Sequence, residues 1–294
     1  MDRFRFVLQS SMACFRRWRS APRIVVLFGF IACLTVVYAM PFSENAMAQD
    51  LPLQFTEIFI ALMNWRFTML AFSSIILLLF GDLPIIESFT RNALICGTKR
   101  SWMASQIAYV FFTSAIVCMV IFLVTVAVAA PNLDFSNQWS RPVRLMAQSG
   151  RIAISPERMK LTMPIEIVTE YFPWQAFGHS ISLFFLMSCI YGLGTLALNL
   201  WFRSGGFILM LTSNILSWSM GMYYVTTLGF TIFTWLSLHY HASLSDHSFH
   251  DLNASVPSLG ISYVVMVNGI CFLGLILMGL VKRYDFNQAE DDQR

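Results

Sequence analysis

Gly81-Asp-Leu-Pro-Ile-Ile-Glu-Ser-Phe-Thr-Arg-Asn-Ala-Leu-Ile-Cys-Gly-Thr-Lys-Arg-Ser-Trp-Met-Ala-Ser-Gln106 is a charged, helix-forming stretch set between two long apolar runs. Asp82 is placed to cap a first turn, Pro84 is tolerated there, and Gly97 suits the left-handed residue that closes a helix. Ile86, Phe89 and Ala93 share one face, while Glu87 and Arg91 stand four apart in the favourable order on another. The expected helix, Leu83 to Cys96, is amphipathic, and it is too short and too charged to cross a bilayer. The basic pair Lys99 and Arg100 follows it. An element of this kind between two spans is a handle for something outside the membrane.

The flanking composition explains why spans are expected. The 294 residues are 57% hydrophobic and 12% charged, against roughly 25% charged in soluble domains. Apolar runs, free of Asp, Glu, Lys and Arg except for Arg66 in the second, predict six spans, at about 24–40, 58–80, 103–130, 174–202, 205–225 and 259–281. The second reaches span length only if Ile58 to Arg66 leads into it. Residues 1–23 mix Phe4, Phe6, Phe15 and Trp18 with arginines, which suits a helix lying in the interface; a disordered basic tail is the alternative. Segment 131–173 reads as an extracytoplasmic loop with some local structure, in which Asp134, Glu157, Glu166 and Glu170 are available to face a substrate.

Thirteen of the 19 lysines and arginines fall at the amino terminus, in 82–104, at Arg203 or after the sixth span, and five more lie in the long 131–173 loop. The short loops Pro41 to Glu57 and His239 to Ser258 hold none. The positive-inside rule then places both termini in the cytoplasm, with 82–102 and the 282–294 tail on the same side. The net charge of +3 is a topology signal, and no groove for nucleic acid is expected. A basic region, an apolar stretch and Ala46-Met47-Ala48 before Gln49 also fit a cleavable signal peptide, which would leave five spans.

Gly205 to Leu238 is too long for one crossing. As a single helix it would extend about 50 Å against a hydrocarbon core of about 30 Å. Gly221 and Gly229 mark expected breaks, leaving 226–258 to re-enter or to lie at the outer surface; a tilted, projecting helix is the alternative.

The spans carry few reactive groups. Missing intramembrane carboxylates argue against an ion- or proton-coupled carrier. Asn199, Asn214 and Asn268 read as polar glue between helices, and Arg66 as a snorkelling residue at the outer end of the second span. His239, His241, His247 and His250, with Asp246 and Asp251, form a cluster in the last outer loop. Histidines two or three apart can bind a transition metal, but no fixed ligand spacing supports this, so they read as solvated loop residues. The six cysteines fall in spans or on the cytoplasmic side, and each is simplest as a small apolar residue. No phosphate loop, zinc-protease or serine-hydrolase motif is present, so no catalytic residue and no cofactor is expected.

The layout resembles the ABC-2 class of ATP-binding cassette permeases, in particular the small six-span bacterial ones. The resemblance rests on Gly81 to Gln106, on Asn132-Leu-Asp-Phe-Ser-Asn-Gln-Trp-Ser140 after the third span, on Phe172-Pro-Trp-Gln-Ala-Phe177 opening the fourth, and on Lys282-Arg283-Tyr284-Asp285 after the last. It implies an all-α polytopic membrane protein of type V exporter-like architecture, with an amino-terminal interfacial helix and a coupling helix. It also implies a bacterial cell-membrane subunit that pairs with a second permease copy or paralogue and is powered by a cytosolic ATPase. Ile86, Glu87, Phe89, Arg91, Lys99 and Arg100 are the expected ATPase contacts. Spans without fixed charges suit export of an amphipathic or lipid-like cargo. The rival readings are a secondary carrier and a non-transporting membrane anchor or immunity protein.

Overall fold

The computed structural model describes residues 3–85, 98–149, 161, 163–202, 205–220, 232–248 and 256–283. In chain order these form α1 (Arg3–Arg16), α2 (Pro22–Ala48), β1 (Leu53–Gln54), α3 (Glu57–Asn64), α4 (Arg66–Phe80), α5 (Lys99–Ala129), β2 (Leu133–Asp134), α6 (Arg141–Ser149), α7 (Ile165–Glu170), α8 (Pro173–Phe202), α9 (Gly206–Ser219), α10 (Ile232–Leu236), α11 (Leu238–Ala242) and α12 (Leu259–Arg283).

Among the described residues, four helices, α2, α5, α8 and α12, are long and apolar enough to cross a membrane, and the bent pair α3–α4 makes up to five. Of the six expected spans, the fifth, 205–225, is described only to residue 220 and is represented there by α9, an apolar helix of 14 residues. The helix starts follow local chemistry. Pro22 opens α2, where its missing N–H is no loss. The Thr98 hydroxyl accepts the Ser101 N–H at 3.2 Å to cap α5. Lys282 and Arg283 lie in the last turn of α12, against its negative end.

Several boundaries differ from the sequence expectation. α2 runs through Pro41 to Ala48 instead of stopping at Met40. One missing N–H is tolerated within a packed helix, and the Ser43 hydroxyl ties this outer part to the Val128 carbonyl at 3.1 Å. Ala46 of the Ala46-Met47-Ala48 triplet is helical and buried. Lys99 to Trp102, expected within an 82–102 coupling helix, belong to the long helix α5.

The expected second span is bent by 85° between α3 and α4. Trp65 takes an extended conformation at the bend, and nearby side chains bond the backbone groups that the break frees. The Asn64 amide donates to the Ile60 carbonyl at 2.7 Å, and its oxygen accepts the Ser245 N–H at 2.9 Å. The Thr68 hydroxyl reaches the carbonyls of Leu62 and Trp65, and the Trp218 indole donates to the Arg66 carbonyl. A break inside a membrane domain persists only when its polar groups are satisfied in this way. All eight residues of α3 are buried, so the bend folds α3 into the interior of the protein, and α3 and α4 reach span length only as a pair.

α8 is the axis of the bundle, the most enclosed of the four long helices, with α4, α5, α9 and α12 packed around it. Glycines set two of the closest approaches. A Cβ on Gly206 would sit 2.2 Å from the Leu198 carbonyl carbon, and one on Gly192 would sit 2.5 Å from a Val110 methyl. Any side chain there would force α8 away from its neighbours.

Candidate functional site

The arginine-rich end of the bundle holds the ends of the 82–98 segment. α1 packs on α5, with the Trp18 indole donating to the Tyr109 hydroxyl at 2.9 Å and Phe15 against the Tyr109 ring. Asp82 does not cap a helix. Its carboxylate is held by the guanidinium groups of Arg17, at 3.4 Å, and Arg23, which reach it from the turn after α1 and from the first turn of α2. The pairs are half exposed and contribute little to stability, but they fix position. Residues 83–85 are not helical. The Asn199 amide on α8 donates to the Leu83 and Gly81 carbonyls at 2.6 and 3.2 Å, and the Ile85 N–H donates to Gln106 Oε1 on α5 at 3.1 Å. One side of the segment is thus anchored to α2, α5 and α8, and the other is capped by Thr98.

Of the expected contact residues, Lys99 and Arg100 are exposed at the start of α5. With Thr98, Ala104, Val7 and Lys282 they line a recess of about 730 Å³. Ile86, Glu87, Phe89 and Arg91 lie outside the described residues, as does most of the expected helix Leu83 to Cys96.

At the opposite end, segments far apart in sequence are stitched together. β1 and β2 pair in parallel, Leu53 with Leu133 and Gln54 with Asp134. Next to them Glu57, fully buried, accepts the Gln54 N–H at 3.1 Å and the Ser140 N–H at 2.6 Å. This carboxyl stands at the very start of α3, beside the β-ladder. Burial pushes its pKa up to about 8, against the opposing effect of the two N–H donors. Sequence reading missed Glu57, whose only signal is a single acid at the start of an apolar run. The two outer motifs behind the family resemblance touch each other. The Trp139 indole donates to the Tyr171 carbonyl at 2.7 Å, and Asn137 accepts the Trp174 N–H at 3.2 Å. Of the loop acids, Asp134 accepts from the Ser136 N–H and hydroxyl, Glu166 and Glu170 are exposed, and Glu157 lies outside the described residues.

The histidines are not solvated, contrary to expectation. His239, His241 and His247 are all buried, because the chain after α9 turns back and packs among α3, α8 and α12. His239 Nε2 lies 3.0 Å from Asn214 Oδ1. Ser262 Oγ lies 2.8 Å from both His241 Nδ1 and His247 Nε2. Neutral rings satisfy the contacts around Ser262, with His247 Nε2 donating to the serine, the serine donating to His241 Nδ1 and His241 Nε2 donating to the Trp235 carbonyl, while His247 Nδ1 is left without a proton 3.4 Å from the Leu244 carbonyl. Burial lowers the pKa of His241 and pushes that of His247 down to about 4. His250 lies outside the described residues. Among the described residues, no three His, Cys, Asp or Glu side chains are grouped to hold a metal. Arg66 does not simply snorkel: it binds Asp246 and the Tyr240 hydroxyl, each at 3.0 Å.

No family model, curated protein or solved structure matches the chain.

Within the spans, Asn214 acts as glue, accepting from Ser73 at 2.9 Å and donating to Ser74 at 3.1 Å. Asn199 does the same toward the 81–83 backbone. Asn268 departs from that expectation, since its side chain is exposed on the outside of α12.

Proposed function

We propose that the chain is the membrane-embedded permease subunit of an ATP-binding cassette exporter, driven by a separate cytosolic ATPase and paired with a second permease copy. The observation that carries this reading is the anchoring of the 82–98 segment. Side chains from α2, α5 and α8 hold its start, and Thr98 caps its exit into α5. A partner pushing on that segment would move three spans together. A chain without a nucleotide site needs such a rigid contact, because an equilibrium shifts only through differential interaction.

In this reading Ile86 and Phe89 anchor in the ATPase, and Glu87, Arg91, Lys99 and Arg100 set the register at the rim. The arginine-rich end faces the cytoplasm of a bacterial cell, and both termini are on that side. The cargo is amphipathic or lipid-like, in keeping with spans that lack fixed charges in their interiors.

The test is purification of the full chain in mild detergent, scoring bound ATPase activity, together with ATP-driven transport in inverted vesicles. Phe89→Asp is expected to lose both, with the membrane domain intact. Normal assembly and transport by that variant would place coupling elsewhere. Transport driven by a proton gradient without ATP would favour a secondary carrier, and toxin binding without transport would favour an immunity protein.

A further inference from the structure

We infer that α12 is the surface through which a second copy of this chain docks, with Asn268 of the two copies hydrogen-bonded to each other inside the membrane. α12 packs one face on α8 and α5 and leaves the other uncovered. Asn268 sits in the middle of that uncovered face, about 14 Å along the helix from Leu259 and about 22 Å from Arg283. Its side chain makes no hydrogen bond to any described residue. Among the described residues, it is the one Asn, Gln or charged side chain that a span exposes away from its ends.

An amide in hydrocarbon without a partner is costly, and Asn is too short to reach the interface as Lys or Arg does. No described residue supplies its partner, and a helix of another molecule lying against this face would.

The pattern around it says which helix. Ile261, Val264, Asn268, Cys271 and Leu275 are all exposed and follow one another at spacings of three, four, three and four. This is a heptad seam, with Asn268 at an a position and Cys271 at a d position. A single Asn at an a position sets register and oligomeric state by pairing with its own counterpart. Two copies inserted with the same topology present parallel α12 helices around a two-fold axis normal to the membrane, so each residue of the seam meets itself at the same depth. Asn suits that place because its amide carries both donors and acceptors, and the N–H edge of one copy complements the carbonyl edge of the other. Val264 and Leu275, 60% and 74% exposed in the single chain, would be covered on either side.

Cys271 supplies a native probe. It is an exposed free thiol one turn from Asn268 on the same seam, whereas the other exposed described cysteine, Cys33, lies on α2. The full chain, in a Cys33→Ser background, is treated in membranes with a bismaleimide matched to the roughly 8–10 Å separation of packed helices. A covalent dimer that disappears in Cys271→Ser is expected. Asn268→Leu should weaken dimerisation, read by single-molecule photobleaching in lipid bilayers, by about threefold to thirtyfold, while Asn268→Gln should retain most of it.

A monomeric chain, a dimer without a Cys271 crosslink, or a dimer indifferent to Asn268→Leu would each overturn the inference. It deepens the second-copy part of the proposed function but rests only on membrane insertion. A crosslinked dimer that carries no ATPase would sustain this interface and defeat the transporter reading.

Discussion

The hydroxyl oxygens of Ser217 and Ser237, twenty residues apart in sequence, lie 3.2 Å from each other. The Ser217 hydroxyl also accepts the Leu238 N–H at 3.0 Å, and the Ser237 hydroxyl donates to the Ser217 carbonyl at 2.8 Å. The chain leaving α9 therefore returns beside it instead of continuing as one helix. The return places His239 against Asn214, and Asn214 against Ser73 and Ser74 of α4.

This fold-back predicts a crosslink. Cysteines introduced together at Ser217 and Ser237 should join readily under mild oxidation, whereas a continuous helix would hold them about 30 Å apart. Failure to join, with both thiols reactive to maleimide, would contradict the return.

Asn214 is the hub of that contact, so Asn214→Leu should be markedly destabilising. It removes the amide shared by Ser73, Ser74 and His239 in a buried site, leaving the Ser73 hydroxyl only the Leu70 carbonyl and His239 Nε2 only the Tyr191 hydroxyl at 3.5 Å. Each lost membrane hydrogen bond is worth about 0.6–2 kcal/mol, and a loss of about 2–4 kcal/mol in detergent unfolding is expected. A change below about 0.5 kcal/mol would mean that the network contributes no net stability.

Glu57 and His247 impose opposite pH dependences on stability. The Glu57 pKa is raised from 4.5 to about 8, so the folded state holds a proton that the unfolded chain has lost. Stability is lost as pH rises from 4.5 through 8. The His247 pKa is lowered from 6.5 to about 4, so stability is lost as pH falls from 6.5 through 4. The two oppose each other between 4.5 and 6.5, and above 6.5 only the Glu57 contribution remains. Melting temperature should therefore fall between pH 6.5 and 8, with a shallower slope in Glu57→Gln. The slope is the readout, since Gln presents an NH₂ to one of the two backbone N–H donors and lowers stability at every pH. An unchanged slope would show that Glu57 is already ionised at neutral pH.

The proposed orientation predicts a labelling pattern. Cysteines at Ser136 or Ser248 should react with an impermeant thiol reagent in intact cells, while one at Ser101 should react only after the membrane is opened. Labelling of Ser101 alone would invert the topology. Sequencing the mature amino terminus adds a check. A start at Gln49 would remove α2, whose face of Leu27, Ile31, Thr35, Ala39 and Phe42 is buried.

Hydropathy and charge by themselves determined that the chain is built from long apolar helices, roughly where α2, α5, α8 and α12 lie, and that thirteen of the 19 basic residues fall in segments expected on one side of them. These are local properties: an uncharged run must form helix in a bilayer because its own backbone bonds are the only ones available. Tertiary structure decided the rest. The 85° bend at Trp65 depends on Ser245 and Trp218 arriving from more than 150 residues away. The burial of His239, His241 and His247 depends on the return of the chain beside Ser217, and the placing of Asp82 depends on Arg17 and Arg23. Glu57 was invisible because its meaning lies in the Ser140 N–H, 83 residues further on. Polar groups in a membrane protein take their role from the partner that satisfies them, and no periodicity along the chain records which partner that will be.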